Sequence, residues 1–297
     1  MSAENLGERR HILGRPFVYD IGIWGIGYLP RGLAYAIAER IGELSYLFYK
    51  KARQNIQDNL SHVLPEATPR KLTSLALSTF RNYSKYLVDY GRFNNLCIDT
   101  LFKEVVHVDG TENIDEALSR GKGLIMLTAH LGNWELGGIF FGRQDIKINV
   151  LTASDNVAEL DEIRNRYRKF HNINTIVLGD SPFDILEVLN ALRRNEIVAM
   201  LVDRGGMDGP TVPFFGKSVT FPEGPILLAK ETGAPIIPGF VLREEDGYRA
   251  VADSPIYYEE LAEGTQSDSE RIARTVLEVF ERYIRKYPDQ WYNFVPF

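Results

Sequence analysis

Gly123-Leu-Ile-Met-Leu-Thr-Ala129, followed at once by His130-Leu-Gly-Asn-Trp-Glu135, decides how this chain reads. An uncharged, mostly apolar run that opens on glycine and ends at a polar turn has the texture of a strand buried on both faces. Asn133 is a favoured N-cap residue and the residues from Trp134 onward have helix-compatible spacing. His130 is therefore expected in the strand-to-helix turn, with Glu135 in the first helical turn. That places an imidazole within reach of a carboxylate. An imidazole held through one ring nitrogen keeps the other free to take a proton, the base half of a serine hydrolase without its serine. The nucleophile is then expected from a substrate. A structural role competes with this one, since a histidine after a strand often only completes a turn and an acid in a first helical turn is favoured by the helix dipole.

Working outward, apolar β-rich runs at 147–152, 174–178 and 196–202 alternate with helical stretches at 133–142, 156–171 and 183–194. Further strands are expected at 235–242 and 248–257, and a closing helix at 269–287. Residues 17–98 read as helical, with a break at 65–69 where Thr68 and Pro69 suit a helix start. The fold class is α/β: a mainly parallel central sheet flanked by helices, with a helical N-terminal layer. The layer is expected over 1–98 and the α/β core over 99–297, as one integrated domain. In open α/β sheets ligands collect outside the carboxyl ends of the strands. His130 follows one such end, and Asp203 and Arg204 follow another. The long stretch after Arg204, with Gly205, Gly206 and the aromatic Phe214, Phe215 and Phe221, reads as a functional loop, or else as an Ω-loop folded on its own aromatics.

The 297 residues are 44% hydrophobic, enough for a sizeable core without staples. Cys97 is the sole cysteine, so no internal disulfide forms, which suits the cytosol or the cytosolic face of a membrane. A net charge of −6 argues against a general nucleic-acid binder. Five scattered histidines and one cysteine give metal binding little support. Gly25-Ile-Gly27 reaches Pro30 rather than a third glycine, and no Gly-x-Ser-x-Gly elbow occurs.

Residues 1–16 carry no signal-peptide pattern, so the chain is expected to stay inside the cell. Residues 17–49 are aromatic and apolar, but the longest charge-free run, 21–30, is too short to span a bilayer. From Leu33 the apolar Leu33, Ile37, Ile41, Leu44 and Phe48 share one helical face, followed by Lys50 and Lys51. Such a face either lies in a membrane interface or packs on the core. In the stretch 156–171, Leu160, Ile163, Tyr167 and Phe170 share a face with Arg164 and Arg168 along one margin and Arg166 on the other.

The string Thr128-Ala-His-Leu-Gly-Asn-Trp-Glu-Leu-Gly-Gly138 resembles the first motif of the bacterial lipid A biosynthesis acyltransferases and of their relatives that acylate phosphatidylinositol mannosides. Arg53 to Leu60 with Pro65 resembles an upstream segment of that family, and Asn165-Arg-Tyr-Arg168 its arginine-bearing second block. Asp203-Arg204, Val212-Pro-Phe-Phe-Gly216 and Pro222-Glu-Gly-Pro225 resemble its third block. Gly233 to Pro238 and Gln290-Trp-Tyr-Asn-Phe294 fit as well.

The resemblance implies that His130 and Glu135 form a catalytic pair, with His130 as base and Glu135 as its orienting carboxylate. It implies substrate binding by Arg168 or Arg166 from the second block, and by Asp203, Arg204, Phe215 and Glu223 from the third. Backbone N–H groups around Asn133 are expected to hold the thioester oxyanion. The implied partners are an acyl donor, acyl-carrier protein or acyl-CoA, a membrane lipid acceptor and the membrane surface at the cytoplasmic face of the inner membrane, with no further cofactor. A thioesterase using the same pair, and a silent lipid-binding protein, are the rivals.

Overall fold

The computed structural model describes residues 29–93, 98–141, 146–153, 168–171, 173–179, 182–206, 208–263 and 267–297. Trp24, Arg164 and Arg166 lie outside them, as does the whole stretch 154–167.

Three helices form the N-terminal layer: α1 (Arg31–Phe48), α2 (Lys50–Val63) and α3 (Pro69–Phe93). A short α4 (Ile98–Glu104) leads into β1 (Val105–Asp109) and α5 (Thr111–Ser119). The central unit follows as β2 (Leu124–Thr128), α6 (Trp134–Phe141), β3 (Ile148–Ala153), β4 (Asn174–Leu178), α7 (Pro182–Arg193) and β5 (Ile197–Leu201). A hairpin of β6 (Thr211–Phe214) and β7 (Lys217–Thr220), then α8 (Gly224–Thr232), β8 (Ile236–Arg243), β9 (Tyr248–Ala252), α9 (Tyr258–Leu261) and α10 (Asp268–Lys286) complete the chain. The seven-stranded sheet has the order β1-β9-β8-β2-β5-β3-β4. All its pairings are parallel except β8 with β9.

The centre of the sheet is β2, flanked by β5 and β8, and its Leu124 to Leu127 are all buried. Successive side chains point to opposite faces. Ile125 and Leu127 enter a core closed by α7, α8 and α10, whereas Leu124 and Met126 enter a second core closed by α4, α5 and α6. A strand covered on both faces needs apolar residues at every position, which is why the run 124–127 does not alternate.

In α1 the packing is the reverse of a core-facing apolar stripe. Ala34, Ala38, Gly42 and Ser45 are the buried residues. A Cβ on Gly42 would stand 2.8 Å from the carbonyl oxygen of Phe80, so α1 lies against α3 too closely for a larger residue there. With the small face inward, the large residues point out: Leu44 is 54% exposed and Phe48 79%, and Leu33, Ile37 and Ile41 are exposed as well. Among the described residues no helix is long and apolar enough to cross a membrane.

The C-terminal segment is clamped to α2. The Asn59 amide donates to the carbonyls of Asn293 and Val295, both at 2.8 Å, and the Asn55 amide donates to that of Phe294 at 2.9 Å. Residues far apart in sequence, from the upstream and closing blocks of the family pattern, thus become one structural unit.

Candidate active site

β2 and β5 run parallel with Thr128 opposite Leu201, and the Val202 N–H donates to the Thr128 carbonyl. Continuing that register two residues beyond each strand sets His130 opposite Asp203. The side chains meet: His130 Nδ1 lies 2.7 Å from Asp203 Oδ1. The other oxygen, Oδ2, accepts the indole N–H of Trp291 at 2.8 Å. Both oxygens are therefore engaged, and the Asp203 side chain is fully buried while that of His130 keeps 18% of its surface exposed. Burial alone pushes the Asp203 carboxyl up, but the His130 ring beside it, the charge of Arg204 and the two hydrogen bonds outweigh that and bring it down to about 2. Asp203 is a carboxylate at any working pH, and with Nδ1–H donating to it, Nε2 is the nitrogen left to accept a proton.

The turn that carries His130 is fixed from three sides. Tyr292 N–H donates to the His130 carbonyl at 2.7 Å, Gly132 N–H to the Gln290 carbonyl at 3.0 Å, and Asn133 N–H to the Val241 carbonyl at 2.7 Å. Gly132 has φ of 66°, and a Cβ there would fall 2.1 Å from the Val241 oxygen, so both conformation and close approach require glycine. Asn133 caps α6 as its residue type suggests, accepting the Leu136 N–H at 3.0 Å. The Gly132 and Asn133 N–H groups are thus spent on the turn, so an oxyanion site among the N–H groups around Asn133 cannot include these two.

Glu135 stands in the first turn of α6 but is not the carboxylate on His130. Its Oε1 and Oε2 take Arg168 Nη2 and Nε at 2.9 and 3.3 Å, with both side chains buried. This corrects two expectations at once: the direct His130–Glu135 contact is replaced by His130–Asp203, and Arg168 binds an internal carboxylate. The helical face expected for 156–171 is also inverted where it is described, with Arg168 buried and Phe170 63% exposed.

The third block is not a free loop. Residues 211–220 form the β6–β7 hairpin, and Phe214, Phe215 and Phe221 are buried in the core. Phe215 packs against Phe214, Trp291 and Phe297, and so is corrected from substrate contact to core residue. Glu223 is half-buried at the start of α8, where its carbonyl accepts the Ile226 and Leu227 N–H groups. The Arg204 side chain is exposed. Trp291 and Tyr292 are site residues to which the sequence assigns no role, although both stand in the closing block.

One residue before Asp203, Val202 joins the lining of an apolar cavity of about 550 Å³ between α7 and α8, with Leu151, Leu178, Leu189, Met200 and Leu227. Its volume suits a long hydrocarbon. Among the described residues, three ligand-type side chains converge at His107, Glu244 and Asp246, on β1 and at the β8–β9 turn rather than at His130.

Residues 8–296 match the model of the bacterial lipid A biosynthesis acyltransferase family. The chain belongs to that family. This acyltransferase is 25% identical over 250 residues to the phosphatidylinositol mannoside acyltransferase of Mycobacterium tuberculosis, covering 82% of this chain and 76% of that one. It is 24% identical over 274 residues to the lipid A biosynthesis lauroyltransferase of Escherichia coli, covering 91% and 86%. A likeness to the crystal structure of the 1-acyl-sn-glycerophosphate acyltransferase of Thermotoga maritima has a TM-score of 0.41 at 15% identity, covering 88% of this chain and 99% of that one. Within the acyltransferase, the blocks that carry the family pattern meet around His130: the first supplies the histidine, the third Asp203, and the closing block Trp291 and Tyr292.

Proposed function

We propose that the enzyme transfers a fatty acyl group from an acyl thioester, acyl-carrier protein or acyl-CoA, to a hydroxyl of a membrane glycolipid or phospholipid. His130 is the general base and Asp203 its orienting carboxylate. The observation that carries this is the Trp291–Asp203–His130 chain at the joined ends of β2 and β5, next to the apolar cavity.

With Asp203 holding Nδ1–H, Nε2 takes the proton of the acceptor hydroxyl as its oxygen attacks the thioester carbonyl. The tetrahedral intermediate collapses, the carbon–sulfur bond breaks, and the imidazolium returns its proton to the leaving thiolate. The negative charge of Asp203 stabilises the imidazolium meanwhile. We assign the oxyanion to the amides of Trp134 and Glu135, since first-turn N–H groups have no acceptor within their own helix. The cavity beside Val202 takes the acyl chain.

The acceptor lies in a membrane, and α1 offers a way to meet it. Its exposed Leu33, Ile37, Ile41, Leu44 and Phe48 stand just before the exposed Lys50 and Lys51, an apolar face edged by positive charge. Such a face seats in the headgroup region of an anionic leaflet. We therefore place the enzyme at the cytoplasmic face of the inner membrane, bound through α1.

The deciding experiment is acyl transfer by purified wild type and His130→Ala, with thioester donor and lipid acceptor and mass spectrometry of the lipid product. Transfer should be lost with folding intact. A wild type that releases fatty acid at the same rate with and without acceptor would make it a thioesterase instead.

A further inference from the structure

We infer that Asp89 is a positioning residue for this active site, joining the membrane-facing helix α1 to the turn that carries His130. The inference rests on the reading of His130 as base. Asp89 lies on α3, 1% exposed, in the helical layer rather than in the α/β core. A carboxylate buried so deeply has to be compensated. Three side chains converge to do so. The Tyr35 hydroxyl, from α1, reaches both Asp89 oxygens at 2.8 and 2.6 Å. The Tyr248 hydroxyl, from β9, donates to Oδ2. Arg243, the last residue of β8, reaches Oδ2 with Nη2 at 3.3 Å and lays its guanidinium over the Tyr35 and Tyr248 rings. The Asn133 amide then donates to the Tyr248 hydroxyl at 3.4 Å.

Asn133 is the cap of α6, three residues past His130. Its side-chain Oδ1 accepts the Leu136 N–H and its backbone N–H donates to the Val241 carbonyl, so the side-chain amide that reaches Tyr248 belongs to the same residue that sets the helix start. A second route leaves Arg243 through its backbone. Gln290 bonds both the Arg243 N–H and its carbonyl, at 2.9 and 2.8 Å, and the Gln290 carbonyl receives the Gly132 N–H. Two hydrogen-bonded paths thus run from Asp89 to the residues on either side of the peptide linking Gly132 to Asn133. Tyr35 brings α1 into the same network from the helix side opposite its exposed apolar stripe. Burial, with the charge of Asp89, raises Tyr35 to about 12, which keeps it a donor.

An apolar cluster of the same volume would hold α1 against α3 equally well. What the charged network adds is direction, because each bond fixes an orientation as well as a distance. Arg31, which pairs with Glu104, provides a comparison at the rim. Breaking that pair from the Glu104 side loosens the same layer and leaves every bond of the Asp89–Tyr248–Asn133 path in place, while Arg31 keeps its own bond to the Tyr35 hydroxyl at 3.1 Å.

The test compares Tyr248→Phe, Tyr35→Phe, Asp89→Asn and, as control, Glu104→Gln, each assayed for acyl transfer and melting, with His130→Ala in parallel. The two Phe variants keep the rings and remove only hydroxyls, so they remain informative if Asp89→Asn does not fold. Expected is a fall in kcat of about tenfold for Tyr248→Phe and severalfold for Tyr35→Phe, with KM for the thioester within a factor of two. Glu104→Gln should keep wild-type kcat whatever its melting temperature. Wild-type kcat in both Phe variants would overturn the inference, as would losses that merely follow melting temperature with Glu104→Gln on the same line. If His130→Ala stays active, the base reading falls and this inference with it. If His130→Ala is dead and both Phe variants are fully active, only this inference falls.

Discussion

His130 and Asp203 are 73 residues apart in sequence and 2.7 Å apart in space, each two residues past the end of one of two adjacent parallel strands that end in register. Asp203 should therefore matter to chemistry more than any other carboxylate in the chain. Asp203→Asn keeps the shape but allows the amide to stabilise the wrong imidazole tautomer and removes the charge that offsets the imidazolium. We expect kcat/KM to fall by about 10²–10⁴, close to the loss from His130→Ala. The double variant should lose little beyond either single one. Steady-state kinetics of the three proteins decide it, and additive losses would separate Asp203 from the base.

Glu135 and Arg168 should behave as a buried ion pair. Glu135→Gln removes one carboxylate charge from beside a buried guanidinium and should cost about 3 kcal/mol in denaturant unfolding. Replacing both residues with apolar ones, Glu135→Leu with Arg168→Met, should recover most of that. If the double variant is as unstable as the single one, the pair is not what the helix start depends on.

The depressed Asp203 carboxyl predicts a pH dependence of stability. Its folded value of about 2 lies below the ordinary carboxylate range, so the unfolded chain binds its proton first as pH falls. The contribution is fully present above about pH 4 and is lost as pH drops toward 2, on the order of 2 kcal/mol. Unfolding free energies of wild type and Asp203→Asn, measured from pH 6 to 2.5, should converge at the acid end. A difference that does not change with pH would contradict the assigned environment.

The outward face of α1 makes a separable claim. Ile37→Asp and Leu44→Asp change residues already 38% and 54% exposed, so melting should hardly move. Sedimentation with anionic vesicles should drop for each, and more for both together, since lost apolar burial and added negative charge act in the same direction. Unchanged sedimentation by the folded variants would remove α1 from the membrane contact.

The cavity between α7 and α8 should set chain length. Leu189→Trp, narrowing its wall, should lower kcat/KM for a sixteen-carbon thioester more than for an eight-carbon one, by about tenfold in the ratio. Equal effects on both chains would place the acyl group elsewhere.

From sequence alone the strand at 124–128, the cap at Asn133, the helix that follows and the strands at 174–178 and 197–201 were all legible, because each is fixed by neighbours within a few residues. So was the convergence of His130 and Asp203 on one edge of the sheet, which follows from both standing at the ends of parallel strands. What spacing did not settle is which acid meets the imidazole. Glu135 sits five positions away and is claimed by Arg168, whereas Asp203 arrives through the β2–β5 register, a property of two distant segments that neither one specifies. Phe215 was likewise decided by contacts with Trp291 and Phe297 that form only when the C-terminal segment closes on α2. In α1 the periodicity marked an apolar face correctly but not its direction. The close approach to Phe80 at Gly42 turned the small residues inward and left the large ones outside, and only the packed structure contains that distance.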